Sequence, residues 1–177
     1  MTEKVEVKAL APTGVLGSGF VEDSFNRMMA MNPDFIGCDA GSTDAGPYYL
    51  ATGKTAFPLP SIKRDLRIMI KGGAKSHIPV LIGSCGTAGG DIQVKTVFGL
   101  LKEIVAEEGL SLRVALVHCE QDADYLKAKL RDGKVHPLDN PPEFDEAVID
   151  RSEHIVGMAG AEPFQEALEG GAGVVLC

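Results

Sequence analysis

Phe35-Ile36-Gly37-Cys38-Asp39-Ala40-Gly41-Ser42-Thr43-Asp44-Ala45-Gly46-Pro47-Tyr48-Tyr49 sets a short apolar run directly against a stretch that no regular element tolerates. Gly and Pro are unfavourable inside helices and strands, and Ser, Thr and Asp hydrogen-bond their own backbone. Asp34 to Cys38 therefore reads as a strand and the remainder, to Tyr49, as the loop it delivers. A loop with this many polar groups at the end of a buried strand is where a scaffold positions chemistry. Ordinary turn and capping chemistry would account for its Ser, Thr and Asp equally well. The functional reading gains weight because later strands end in loops of the same kind.

Upstream, Val5 to Leu10 has the β-branched content of a first strand and runs into the glycine-rich loop 11–19. Phe25, Met28 and Met29 recur at helical spacing between Val21 and Met31, with Glu22 and Asp23 where a helix dipole favours acids. Asn32-Pro33 stops that helix. Downstream, Pro60-Ser61 opens a helix carrying Ile62, Leu66 and Ile70 on one stripe, its end weakened by Gly72-Gly73. Val80-Leu81-Ile82 is the continuous apolar run of a strand covered on both faces. It delivers a glycine-rich loop, 83–91, and Asp91 is placed to N-cap a helix reaching about Glu108.

Leu112 to Val117 predicts a fourth strand, ending in His118-Cys119-Glu120-Gln121-Asp122, and Asp122 to Arg131 a polar helix. Residues 132–142 hold three prolines and read as an irregular connection. Phe144 to Ser152 predicts a short helix, Ile155 to Met158 a fifth strand, Pro163 to Leu168 another short helix, and Gly173 to Cys177 a sixth strand.

Strand and helix alternate throughout, the pattern of a mostly parallel sheet with helical crossovers. A single doubly wound, Rossmann-like α/β domain is the first expectation over 1–177, and part of a (β/α) barrel the alternative. Either arrangement sends the strand-to-helix loops to one edge of the sheet. One cleft is then expected to collect Thr13, Ser18, Asp39, Ser42, Thr43, Asp44, Tyr48, Ser84, Cys85, Thr87, Gly89, Gly90, Asp91, His118 and Glu120.

A formal net charge of −8 argues against a nucleic-acid partner or an acidic membrane surface, both of which require a basic face. No apolar run approaches the length of a membrane span and the N-terminus lacks a signal layout, so a cytoplasmic protein is expected. The four cysteines, Cys38, Cys85, Cys119 and Cys177, lie at or just past apolar runs without metal-ligand spacing, and read mainly as buried free thiols.

The loop at 83–91 opens a helix, so its free N–H groups suit a phosphate or carboxylate, although it matches neither the Walker A nor the dinucleotide pattern. Cys85 sits where a thiol can be activated, and His118 is the one histidine in a strand-end loop. An inert Cys with a structurally satisfied His fits the same residues. Asp39, Asp44, Asp91 and Glu120 offer oxygen ligands for a hard cation, but their spacing defines no metal site. No cofactor is specified, and His77, His136 and His154 receive no role.

Four segments, Ala11–Phe20, Gly37–Leu50, Gly83–Asp91 and Ile149–Ser152, resemble the N-terminal region of the acyclic terpene utilisation AtuA-like family. The resemblance covers nearly the whole chain in motif order, and the Asp-Ala-Gly-Ser-Thr-Asp-x-Gly-Pro-Tyr-Tyr run is its most specific part. It implies a place in the catabolism of acyclic or branched compounds through carboxylate or acyl-CoA intermediates. Family members are longer, which implies either a second polypeptide or a larger whole.

The leading expectation is an enzyme or enzyme subunit acting on a small carboxylate or acyl-CoA, of lyase or hydratase type. Glu120 or His118 would supply the acid/base group and Gly86–Asp91 the anion anchor. The alternative is a non-catalytic subunit that completes a partner's cleft. The apolar run Val174–Leu176 is expected to form an exposed edge strand, buried against a second copy or a partner unless the 132–142 connection covers it.

Overall fold

The alternation of strands and helices builds a five-stranded, all-parallel sheet in the order β1-β2-β3-β5-β4. The computed structural model describes residues 6–42, 45–139 and 142–177. The strands are β1 (Ala9–Leu10), β2 (Phe35–Asp39), β3 (Val80–Gly83), β4 (Val114–Leu116) and β5 (Val174–Leu176). The helices are α1 (Glu22–Met29), α2 (Tyr48–Thr52), α3 (Leu59–Ser76), α4 (Asp91–Glu107), α5 (Ala123–Arg131), α6 (Glu146–Arg151) and α7 (Glu162–Glu169). The fold is α/β and Rossmann-like. Among the described residues no helix is long and apolar enough to cross a membrane.

The chain advances from β1 to β4 in one direction and then returns to insert β5. Right-handed crossovers place the helices of the advance on one face and those of the return on the other. α3 accordingly packs on α4, Phe25 of α1 reaches Gly72 of α3, and α7 packs on β5. Sheet register gives the first face its residues: Leu10, Ile36, Cys38, Val80, Ile82, Val174 and Leu176 are all buried there.

α3 buries Ile62, Leu66, Met69 and Ile70 on one stripe, each worth about 1.5–3 kcal/mol of apolar burial. Gly72-Gly73 does not weaken its end; the helix runs on to Ser76. A Cβ on Gly73 would stand 2.6 Å from Val80 Cγ2, so the glycine lets α3 lie close on β3.

Two expectations are corrected. Ile155–Met158 is not a strand of the sheet; only Val156 pairs, in an isolated antiparallel bridge to Glu120. Val174–Leu176 is not an edge strand either. It lies between β3 and β4, all three of its residues are buried, and its hydrogen-bonding edges are taken by its own chain. The argument for a second subunit covering that edge therefore fails. Smaller differences concern Tyr48 and Tyr49, which begin the one-turn helix α2 rather than ending a loop, and Asp91, which is the first helical residue after Gly90 as N-cap.

Candidate functional site

Parallel strands send their loops to one edge, and at that edge the loops after β2 and β3 touch. Ala40 N–H donates to Gly83 O at 2.7 Å, and a Cβ on Gly41 would stand 2.6 Å from Ser84 Cβ and 3.0 Å from Thr87 O. Only glycine allows so close an approach. Between the two loops lies a cleft of about 470 Å³, lined among others by Asp39, Ser42, Tyr49, Leu50, Ser84 and Thr87. Asp39 ends β2 and is oriented by the Gly41 N–H, which donates to its Oδ1 at 2.7 Å. Ser84 and Thr87 both have positive φ, 51° and 98°, unusual for a hydroxyl residue and strained for β-branched threonine. Thr87 Oγ1 is held by the Ala56 N–H at 3.2 Å.

Farther along the edge, β4 delivers His118 and Glu120 beside the start of α4. His154 Nδ1 lies 2.6 Å from Glu120 Oε1, and both side chains are largely covered. His118 Nδ1 lies 3.0 Å from Asp91 Oδ1, near enough to pair yet off the line of a good hydrogen bond, so that oxygen lacks an aligned donor. A Cβ on Gly90 would be 3.5 Å from both Glu120 Oε1 and Leu50 Cδ1. Gly90 thus separates the two imidazole–carboxylate pairs from the wall of the cleft.

The residues expected in one site fall into distinct groups. Asp39, Ser42, Ser84 and Thr87 meet in the cleft, while Asp91, His118 and Glu120 gather next to it. Gly89 backs onto Ser84 and Gly90 caps α4, so neither lines the cleft. Tyr49 is in the lining; Tyr48 is not, and stacks edge-on against its neighbour at 5.2 Å. Ser18 donates to Val15 O at 2.7 Å and accepts from the Thr13 hydroxyl at 2.8 Å, which closes their own loop and leaves them outside the cleft lining. Thr43 and Asp44 lie outside the described residues.

Cys85 is fully buried, and burial pushes its thiol well above the ordinary range. That is the opposite of the activation a nucleophile needs, so the thiol role anticipated for it is not supported by its surroundings.

Three residues that organise this edge were not singled out from the sequence. Asp65, fully buried in α3, accepts from the Gly17 and Gly19 amides at 3.1 and 2.9 Å and from Arg64 Nη1 at 2.7 Å, and so shapes the glycine-rich loop after β1. Gln93, buried in α4, accepts from Gly90 N–H and donates to Tyr49 O and Lys54 O at 2.8 and 3.0 Å, tying the cleft wall to the helix start. A polar residue on the apolar stripe of each helix was the available signal. His154 is the third, and nothing in its local sequence announces its carboxylate partner.

No known family model, curated protein or solved structure matches this chain. The functional reading rests on the geometry above.

Proposed function

We propose that the protein is an enzyme, or the subunit of one, that adds or removes water at a small hydroxy-carboxylate, a lyase or hydratase-type reaction. The observation that carries this reading is the adjacency of a polar cleft to two imidazole–carboxylate pairs on one sheet edge. A substrate hydroxyl has acceptors in Asp39 and the serines. Proton transfer at a neighbouring carbon needs a base held by an orienting partner, the relation of Glu120 to His154; His118, 3.0 Å from Asp91 but not aligned with it, is the second candidate. Among the described residues no cationic side chain lines the cleft, so a substrate carboxylate would be held by backbone amides of the two loops that line it. The cleft volume, about 470 Å³, suits a small acid. In a coenzyme A thioester the acyl end alone would enter.

The segments that resemble the AtuA-like family support the same reading, because 37–50 and 83–91 supply the cleft. That resemblance implies a role in the catabolism of acyclic or branched compounds, which we include in the proposal. The competing reading, a non-catalytic subunit completing a partner's site, loses its edge-strand argument and keeps only the greater length of AtuA-like members in its favour.

Titration calorimetry of the chain with a panel of small hydroxy acids, their unsaturated counterparts and the matching thioesters tests the proposal, with proton NMR in deuterated water to detect exchange or hydration. At least one panel member should bind, and Asp39→Asn should abolish binding while the fold stays cooperative. Silence across the panel, or binding and turnover indifferent to both Asp39→Asn and Glu120→Gln, overturns it.

A further inference from the structure

The four thiols sit one apiece at the carboxyl ends of β2, β3, β5 and β4, and two of them touch. Cys119, between His118 and Glu120, has its sulfur 3.4 Å from that of Cys177, and both residues are buried. The sheet enforces the contact. Val117 N–H donates to Leu176 O at 2.8 Å, which sets the Cys119 segment beside the end of β5, and Cys177 N–H donates to Ile82 O at 2.9 Å, which fixes that end to β3 on its other side. Cys119 O is in turn held by Gly157 N–H and Gln121 Nε2, both at 2.9 Å, which fixes the loop on its other side.

We infer that Cys119 and Cys177 are a redox modification site, forming a reversible disulfide within the chain that ties the His118–Glu120 loop to β5. This stands independently of any substrate for the cleft. A disulfide needs its sulfurs about 2.0 Å apart, against 3.4 Å here, a closure within reach of side-chain rotation.

With hydrogen peroxide as oxidant the chemistry balances. The Cys119 sulfur attacks one peroxide oxygen, the O–O bond breaks, and a sulfenic acid and one water result. The Cys177 sulfur then attacks the sulfenic sulfur; the S–O bond breaks, and the departing hydroxide takes the Cys177 proton as a second water. Two thiols are oxidised and one peroxide is reduced. Burial, then its hydrogen bond to Cys119, pushes the Cys177 thiol up to about 12, so little of it is thiolate; the second step is favoured instead by proximity, the two sulfurs being 3.4 Å apart, and by the Ser84 N–H, which eases negative charge on the Cys177 sulfur.

The alternative pairing is with Cys85, whose N–H donates to Cys177 O at 2.7 Å. The experiment must therefore name the bond. The folded wild-type chain is treated with equimolar peroxide, denatured, alkylated and mapped by mass spectrometry. The expected product is an intramolecular Cys119–Cys177 link with Cys38 and Cys85 alkylated, restored to four free thiols by dithiothreitol. Amide exchange over 117–121 should slow in the oxidised form and recover on reduction. Persistence of all four thiols, a Cys85–Cys177 link, bonds between copies, irreversible oxidation of Cys119, or unchanged exchange in the linked protein each overturns the inference.

Discussion

Asp65 Oδ2 accepts a hydrogen bond from the Gly19 amide at 2.9 Å, joining the middle of α3 to a loop 46 residues earlier. The same oxygen takes the Gly17 amide, so one buried carboxylate satisfies two loop donors. Asp65→Ala orphans both and should cost about 2–4 kcal/mol in denaturant unfolding. Asp65→Asn keeps one acceptor but turns an amide toward Arg64, and should cost about 1–2 kcal/mol. Faster amide exchange should appear over 15–20 in both variants.

Gln93→Leu preserves volume and removes three hydrogen bonds to the backbone at Gly90, Tyr49 and Lys54. Buried groups left unpaired lose about 1–3 kcal/mol each when water cannot reach them. A total near 2–4 kcal/mol is expected because α2 can relax toward solvent. The fluorescence or NMR signals of Tyr48 and Tyr49 should shift in the native state, which separates local loosening from global instability.

A double-mutant cycle with Glu120→Gln and His154→Ala isolates the pair of groups 2.6 Å apart. Partial burial spares it the full solvent screening of a surface contact, so a coupling of about 1 kcal/mol is expected. Additivity of the two substitutions would mean the contact contributes nothing to the position of either side chain.

Alkaline pH should destabilise the fold. Burial, with smaller contributions from the carboxylates of Asp39 and Asp65, pushes the Cys38 thiol from 9.0 up to about 12, and Cys177 rises equally, mainly through burial. Between those values the unfolded chain has released thiol protons that the folded chain still binds, so stability falls as pH rises. It is fully present below pH 9 and lost toward pH 12. Denaturant midpoints measured across that window should decline. Alkylation of Cys38 and Cys85 in the native chain near neutral pH should be slow compared with the unfolded chain.

Gly41→Ala tests the approach of the β2 and β3 loops. The added methyl would meet Ser84 and the Thr87 carbonyl, and separating the loops should cost about 1–3 kcal/mol. It should also weaken any ligand the cleft binds, whereas Gly14→Ala, where an added Cβ meets nothing within 4 Å, should leave binding unchanged.

The local elements were legible because each is written in a short window. The stripe Ile62, Leu66, Ile70 announces α3, and Val80-Leu81-Ile82 announces a strand buried on both faces. The sheet order was not, since the pairing of β5 with both β3 and β4 joins segments far apart in sequence. Ile155–Met158 has the composition of a strand, but pairing beyond Val156 does not form. At the site, Asp39 and Ser84 could be read from their loops. Asp65 and Gln93 were passed over because polar residues on helices are usually solvated, and only tertiary packing reveals that these two face inward.

The late insertion of β5 has a consequence for biosynthesis. β4 pairs with β5 alone, and β3 meets β4 only through it. A ribosome delivers β3 and β4 before the strand that joins them, so the nascent chain carries two unsatisfied strand edges while α5, α6 and α7 are being made. Such edges invite pairing with other chains. The sheet can close only once the segment after Gly173 has left the exit tunnel, so closure waits on β5 and the facing edges of β3 and β4 stay open to other chains until then.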